Sequence, residues 1–209
     1  MAFTSLEQLN EMHLDVLTEI GNIGSGNAAT ALATLLNKVV DIEIPQIFLL
    51  DYDKATEVLG GKDLKVLGSS IDFEGDLNGM MLQITHQDFA SALINTFYER
   101  HFESLDDFND MDFSVMQETG NITTAAYVNS IATMTNTYIN IAPPKVGIDT
   151  VGNFLDNAYN SLSSAGRQVL YIDETLFIQG TSIKSAMVML LELKSTELLF
   201  EKLGIAIEE

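Results

Sequence analysis

Two polar triplets with identical spacing are the residues of this chain best suited to chemistry. They are Asp15, Glu19 and Asn22 in the first half, and Ser114, Glu118 and Asn121 in the second. Steps of four and then three residues bring the members of a triplet within about 60° of one another on an α-helix. A carboxylate forms charge-assisted hydrogen bonds with cations, and an amide both donates to and accepts from water. Each triplet therefore predicts one polar face of a helix on which these groups lie together.

Each triplet lies in a stretch that predicts a long amphipathic helix. In residues 14–36, apolar and small side chains recur at steps of three and four, which keeps them on one side of a helix. These residues are Leu14, Leu17, Gly21, Gly24, Ala28, Ala31 and Leu35. The triplet points away from them, so it is expected to face solvent. Residues 113–134 repeat the pattern. Glycines disfavour a helix by up to about 1 kcal/mol each, so their use here predicts close approach of another backbone.

A constant offset of 99 residues relates the two halves. It relates the three members of each triplet and also links Pro45 to Pro144, since 144 − 45 = 99. Such self-similarity predicts an internal duplication. We expect a single domain over residues 1–209, made of two repeats at about 10–103 and 109–205. The two long helices are expected to pack near each other across a pseudo-twofold axis, and the two prolines to fix the chain that follows each helix.

The order of patterns within each repeat predicts the fold class. A long helix is followed by β-rich segments (39–51 and 137–151), a short helix or loop, paired strands (65–84 and 167–193) and a closing helix (86–101 and 194–205). This order is typical of an α+β fold with a shared, mostly antiparallel sheet. The glycine-rich run at 21–26 resembles a phosphate-binding loop, but the helical period runs through it and no strand precedes it, which disfavours nucleotide binding.

Composition excludes several classes of protein. Of 209 residues, 46% are hydrophobic and 19% charged, which is typical of a globular chain, and cysteine is absent. A formal net charge of −20 disfavours nucleic acid and anionic membranes as partners. The absence of disulfides and of an apparent secretion signal predicts a cytoplasmic protein. Acidic residues at 106, 107, 110 and 112 suit either a solvated loop or a basic partner.

The repeated motif resembles that of a known family. The pattern Asp/Ser, three residues, Glu, two residues, Asn, then twenty-two residues and Pro is similar to the motif of the CheC/CheX/FliY phosphatases of chemotaxis. Every position of the motif is filled twice, and the resemblance covers nearly the whole chain. Two filled sites and the chain length resemble the two-site CheC type most.

The resemblance implies a function, partners and residue roles. It implies that the chain dephosphorylates the response regulator CheY, whose aspartyl phosphate and Mg²⁺ belong to the partner, so no cofactor or metal is expected here. Glu19 and Glu118 would contact the regulator's lysine, and Asn22 and Asn121 would position the attacking water. Asp15 and Ser114 would support the helix start or the partner contact. We expect the pairs on an outward helical face rather than in a cleft.

An adaptor role is the alternative that the resemblance leaves open. The family also binds the receptor deamidase CheD, so a mainly non-catalytic protein that binds CheD or the flagellar switch is a second hypothesis. The segment 147–156 is a candidate surface for CheD. Because internal symmetry can replace a dimer, we expect a monomer.

Overall fold

The computed structural model of the protein describes residues 6–162, 168–178 and 181–205. The helices are α1 (Glu11–Leu36), α2 (Tyr52–Val58), α3 (Gln87–Tyr98), α4 (Asp110–Thr135), α5 (Val151–Ser161) and α6 (Leu193–Lys202). The strands are β1 (Val40–Ile42), β2 (Gln46–Asp51), β3 (Lys65–Gly75), β4 (Gly79–Thr85), β5 (Ile139–Ile141), β6 (Lys145–Thr150), β7 (Gln168–Ile178) and β8 (Thr181–Leu191). The first seven elements recur in order as the last seven, so the predicted duplication is present in the fold.

The two long helices, α1 and α4, begin and end at matched residues, and we call them the signature helices. Asn10 and Asn109 are their N-caps, and each side chain accepts a hydrogen bond from a backbone N–H of the first turn. Asn37 and Asn136 end the helices in the left-handed conformation, both at φ 50°. Local capping therefore sets both ends of each helix at the same 99-residue offset.

The eight strands of the described residues join one antiparallel sheet, in which the halves exchange strands. The strand order is β1-β7-β8-β4-β3-β5, with β2 also on β7 and β6 also on β3. The first half thus supplies β1 and β2 to a strand of the second half, and the second half supplies β5 and β6 to a strand of the first. The central pair, β4 with β8, joins the halves directly. This confirms the predicted α+β class and the shared sheet.

Helices cover both faces of the sheet. The signature helices lie on one face, where Leu17 of α1 and Tyr127 of α4 belong to one apolar cluster with strand residues. On the other face, α2 and α5 pack through Ala55 and Leu155. Every residue of β4 is buried, as expected for a strand covered on both sides. The sheet therefore forms a rigid support behind the signature helices.

The signature helices pack directly against each other, as predicted. Asn27 donates to Ser130 across the interface at 3.3 Å. A Cβ atom added at Gly24 would lie 3.1 Å from the Cα atom of Tyr127, so glycine permits the close approach. Both contacts have a sequence offset of 103, which means that the two helices run in the same direction. Leu35, which the periodicity places on the apolar stripe, lies beyond this crossing and is 37% exposed.

Substitution of the two glycines by alanine is expected to have opposite effects on stability. At Gly24 the new methyl group meets backbone of α4, and such overpacking costs about 1–3 kcal/mol. At Gly26 the added Cβ has nothing within 4 Å, so Gly26→Ala is expected to stabilise by up to about 1 kcal/mol through helix propensity. Urea denaturation of the two variants measures both free energies. A stabilised Gly24→Ala protein would contradict the packing described here.

Candidate functional site

The structure places the two polar triplets on the outer face of the signature helices. Asp15 and Glu19 are exposed and Asn22 is half-buried. The second triplet has the same pattern, with Ser114 and Glu118 exposed and Asn121 half-buried. Both triplets therefore face solvent, as predicted, while the opposite side of each helix packs on the sheet. The roles of these residues stay predictions.

The acid and amide side chains of both pairs are available to a partner. Within the described ranges, the structure gives no hydrogen bond or ion pair to the side chains of Glu19, Asn22, Glu118 or Asn121. The Ser114 hydroxyl differs, because it donates to the carbonyl of Asp110 at 2.9 Å. An internal hydrogen bond thus involves Ser114 of the second triplet, whereas the side chains of both acid–amide pairs form none within the described residues.

Each matched proline lies beside its acid–amide pair. Pro45 is buried, and its Cγ atom would lie 3.4 Å from a Cβ atom added at Gly21, the residue before Asn22. It also separates β1 from β2, because proline cannot donate to the sheet. At the second pair, the Gln117 side chain donates to the carbonyl of Pro144 at 3.4 Å. The structural role of both prolines stays a prediction.

The sequence predicts an outward helical face rather than a cleft, but an open cleft borders the second pair. Its volume is about 500 Å³. The lining residues are Ser114, Gln117, Glu118, Asn121, Ile141, Ala142, Pro143 and Pro144. The side chains of the helix and the segment before β6 thus form the two walls. Gln117 was not among the predicted site residues, because Thr18 stands at its matched position and the repeat gives no signal for it.

The acidic run before α4 is not a uniformly free surface. Asp112 is fully buried, forms an ion pair with Arg100 and accepts a hydrogen bond from Tyr98. Asp106 forms an ion pair with Lys65, and the hydrogen bond and charge of this lysine lower the pKa of Asp106. Asp112 therefore cannot contribute to an acidic patch for a basic partner, and its role is to stabilise the start of α4.

No three His, Asp or Glu side chains of the described ranges group together as metal ligands. In the same part of the chain, none of the helices is long and apolar enough to cross a membrane. The outer face of each signature helix presents one carboxylate and one amide to solvent.

The fold of this chain is the one found in solved structures of FliY and FliM. A crystal structure of FliY from Thermotoga maritima superposes with a TM-score of 0.74 at 19% identity, covering 94% of this chain and 98% of that chain. The FliM middle domain from H. pylori superposes with a TM-score of 0.65 at 10% identity, covering 93% and 99%. At these identities the likeness concerns the fold alone.

Sequence comparison identifies the family. The model of the CheC-like family matches residues 12–49 and 111–148, the two segments that run from each signature helix past its proline. The chain is 32% identical over 200 residues to the CheY-P phosphatase CheC of Bacillus subtilis, covering 94% of this chain and 96% of that protein. It is 28% identical to the flagellar motor switch phosphatase FliY of the same organism, over 68% of this chain but 37% of that longer protein. The chain belongs to the CheC-like family.

Proposed function

We propose that the protein is a phosphatase of the phosphorylated response regulator CheY and that both acid–amide pairs act in the reaction. The observation that carries this proposal is the presence of two solvent-facing pairs, Glu19 with Asn22 and Glu118 with Asn121, whose side chains form no hydrogen bond or ion pair within the described residues. They lie within the two segments matched by the family. The similarity to a CheY-P phosphatase over nearly the full length supports the same substrate.

The glutamate of each pair docks the regulator. A carboxylate on a rigid, exposed helix forms a charge-assisted hydrogen bond with a lysine ammonium at the edge of the partner's phosphorylated pocket. Since the sheet supports α1 and α4 from behind, the helix keeps its shape when the partner binds. This contact fixes the position of the neighbouring asparagine relative to the phosphorus atom.

The asparagine of each pair orients the attacking water. Its amide donates one hydrogen bond and accepts another, so it holds the water in line with the bond between phosphorus and the aspartate oxygen. The water oxygen bonds to phosphorus, the bond to aspartate breaks, and carboxylate and inorganic phosphate are released, with the water's protons passing to phosphate and solvent. Mg²⁺ belongs to the regulator. Phosphoryl transfer requires positioning and charge stabilisation above all, which suits a site without a nucleophile of its own.

The direct test measures the lifetime of the phosphorylated regulator with and without this protein. We expect the wild-type protein to shorten this lifetime. With Glu19→Gln combined with Glu118→Gln, the acceleration of decay should be at least about tenfold smaller than with the wild type. The reason is that an amide replaces a charge-assisted contact by a weaker neutral one. Glu201→Gln, at an exposed position of α6, is the control. A double glutamine variant that is as active as the wild type would contradict the docking role.

The adaptor hypothesis predicts a different result in the same assay. A mainly regulatory protein would leave the lifetime unchanged while binding CheD or the flagellar switch. The 28% identity to the flagellar motor switch phosphatase FliY of Bacillus subtilis is the observation that keeps this second function under test. An unchanged lifetime together with such binding would replace the phosphatase proposal.

A further inference from the structure

Exposed methionines stand at matched positions beside the two acid–amide pairs. Met12 is 61% exposed and Met111 is 63% exposed, although methionine is among the residues most often buried. Their offset, 111 − 12, is again 99. Other exposed apolar residues share this offset, such as Leu35 and Met134, so what distinguishes the two methionines is their position relative to the glutamates.

The methionines share a helix face with the glutamates. Met12 precedes Glu19 by seven residues, which places the two about 20° apart around the helix and about 10 Å apart along it. Ile23 follows Glu19 by four residues, about 40° and 6 Å away, and is 40% exposed. Each glutamate therefore lies within an apolar strip about 16 Å long. In the second half the strip runs from Met111 to Ile122, which is half-buried.

The segment before each matched proline extends the apolar rim. Ile44 is 69% exposed directly before Pro45. At its matched position, Pro143 is exposed and lines the cleft together with Glu118. Apolar groups thus border each acid–amide pair on the helix and on the adjacent segment.

We propose that Met12 and Met111 are docking contacts for an apolar patch beside the phosphorylated pocket of the response regulator. This inference rests on the proposed function and names the partner surface that it requires. A lysine that reaches Glu19 brings the surface around it over Met12 and Ile23, since the three side chains share one face. A strip about 16 Å long fits a protein surface rather than a small phosphorylated compound. Methionine suits the contact because its flexible, polarisable side chain adapts to the partner.

The test is the steady-state kinetics of Met12→Gln combined with Met111→Gln on the phosphorylated regulator. We expect KM to rise about tenfold with kcat within a factor of two of the wild type, because a docking contact acts on binding and leaves the water and the asparagine in place. Met12→Leu combined with Met111→Leu, which retains the apolar surface, is expected to keep KM within a factor of about three.

A matched control lies at the other end of the same helices. Leu35 and Met134 also differ by 99 and are 37% and 38% exposed, but they follow the glutamates by sixteen residues. Leu35→Gln combined with Met134→Gln is expected to leave both KM and kcat unchanged. An unchanged KM in the Met12 and Met111 variant, or an equal rise in the control, would overturn the inference and leave the phosphatase proposal intact. A wild-type protein without activity would overturn both.

Discussion

Replacement of the asparagine in both acid–amide pairs, Asn22→Ala with Asn121→Ala, is expected to remove about 99% of the accelerated decay of phosphorylated CheY. Loss of one positioning or charge-stabilising group typically lowers a rate by 10²–10³. The effect is expected in kcat, because the glutamate still docks the partner while the water is no longer held in line. Regulator binding should therefore remain close to that of the wild type.

Asn129→Ala supplies the control for this variant. Asn129 is exposed on α4 two turns beyond Asn121, so its replacement makes a similar change on the same helix outside the pair. We expect full activity from it and an unchanged far-UV circular dichroism spectrum from both proteins. Rapid decay of phosphorylated CheY with the double asparagine variant would exclude the proposed mechanism.

The single asparagine variants are expected to retain part of the activity and to differ from each other. The first pair lies beside Asp15 and a buried Pro45, whereas the second lies beside Ser114 and borders the cleft. If the two sites act independently, the acceleration lost by Asn22→Ala and by Asn121→Ala should add up to that of the wild type. A single variant as inactive as the double would show that only one site acts.

Local features of the fold follow from the sequence because they depend on neighbouring residues. The helix period and the break at Pro45 are properties of short segments, and the offset of 99 extends both of them to the second half. The exposure of Glu19 and Glu118 follows from the same period, because the small and apolar residues fix which side of the helix is buried.

The exchange of strands between the halves does not follow from any local pattern. The segments 40–42 and 46–51 have β character, but the choice between β3 and β7 as their partner depends on the whole sheet. The packing of α2 on the sheet also differs from that of α5, although the constant offset predicts similar packing. Phe154 of α5 packs on Gly68, which pairs with Gly147. The matching positions around α2 are Ala55 on the helix and the paired residues Phe48 and Tyr171 on β2 and β7.

The buried polar groups beneath the signature helices were also not predicted. Glu174 of β7 is 1% exposed and accepts a hydrogen bond from the Tyr127 hydroxyl at 2.6 Å. A single glutamate in a strand-like segment carries no sign of such burial, because alternation alone does not identify which strand lies under the helices. The structure therefore adds a titratable group to the core of the helix pair.

The stability of the protein is expected to depend on pH through Glu174. Burial raises the pKa of this carboxyl from 4.5 to about 7, and the hydrogen bond from Tyr127 opposes the rise. The folded protein thus keeps the proton to a higher pH than the unfolded chain does. Each pKa unit corresponds to about 1.36 kcal/mol, so the Glu174 contribution to the free energy of unfolding should fall by roughly 3 kcal/mol between pH 4.5 and 7 and then level off.

Comparison of Glu174→Gln with the wild type isolates this contribution. Glutamine has the same shape, still accepts from Tyr127 and does not titrate, so the variant should gain roughly 3 kcal/mol relative to the wild type between pH 4.5 and 8. Urea denaturation at a series of pH values measures the difference, in which the titration of all other groups cancels. Tyr127→Phe is the complementary variant: without its hydroxyl the pKa of Glu174 rises further, which extends the fall in stability to higher pH. A difference between Glu174→Gln and the wild type that stays constant with pH would show that the carboxyl does not titrate within the folded protein.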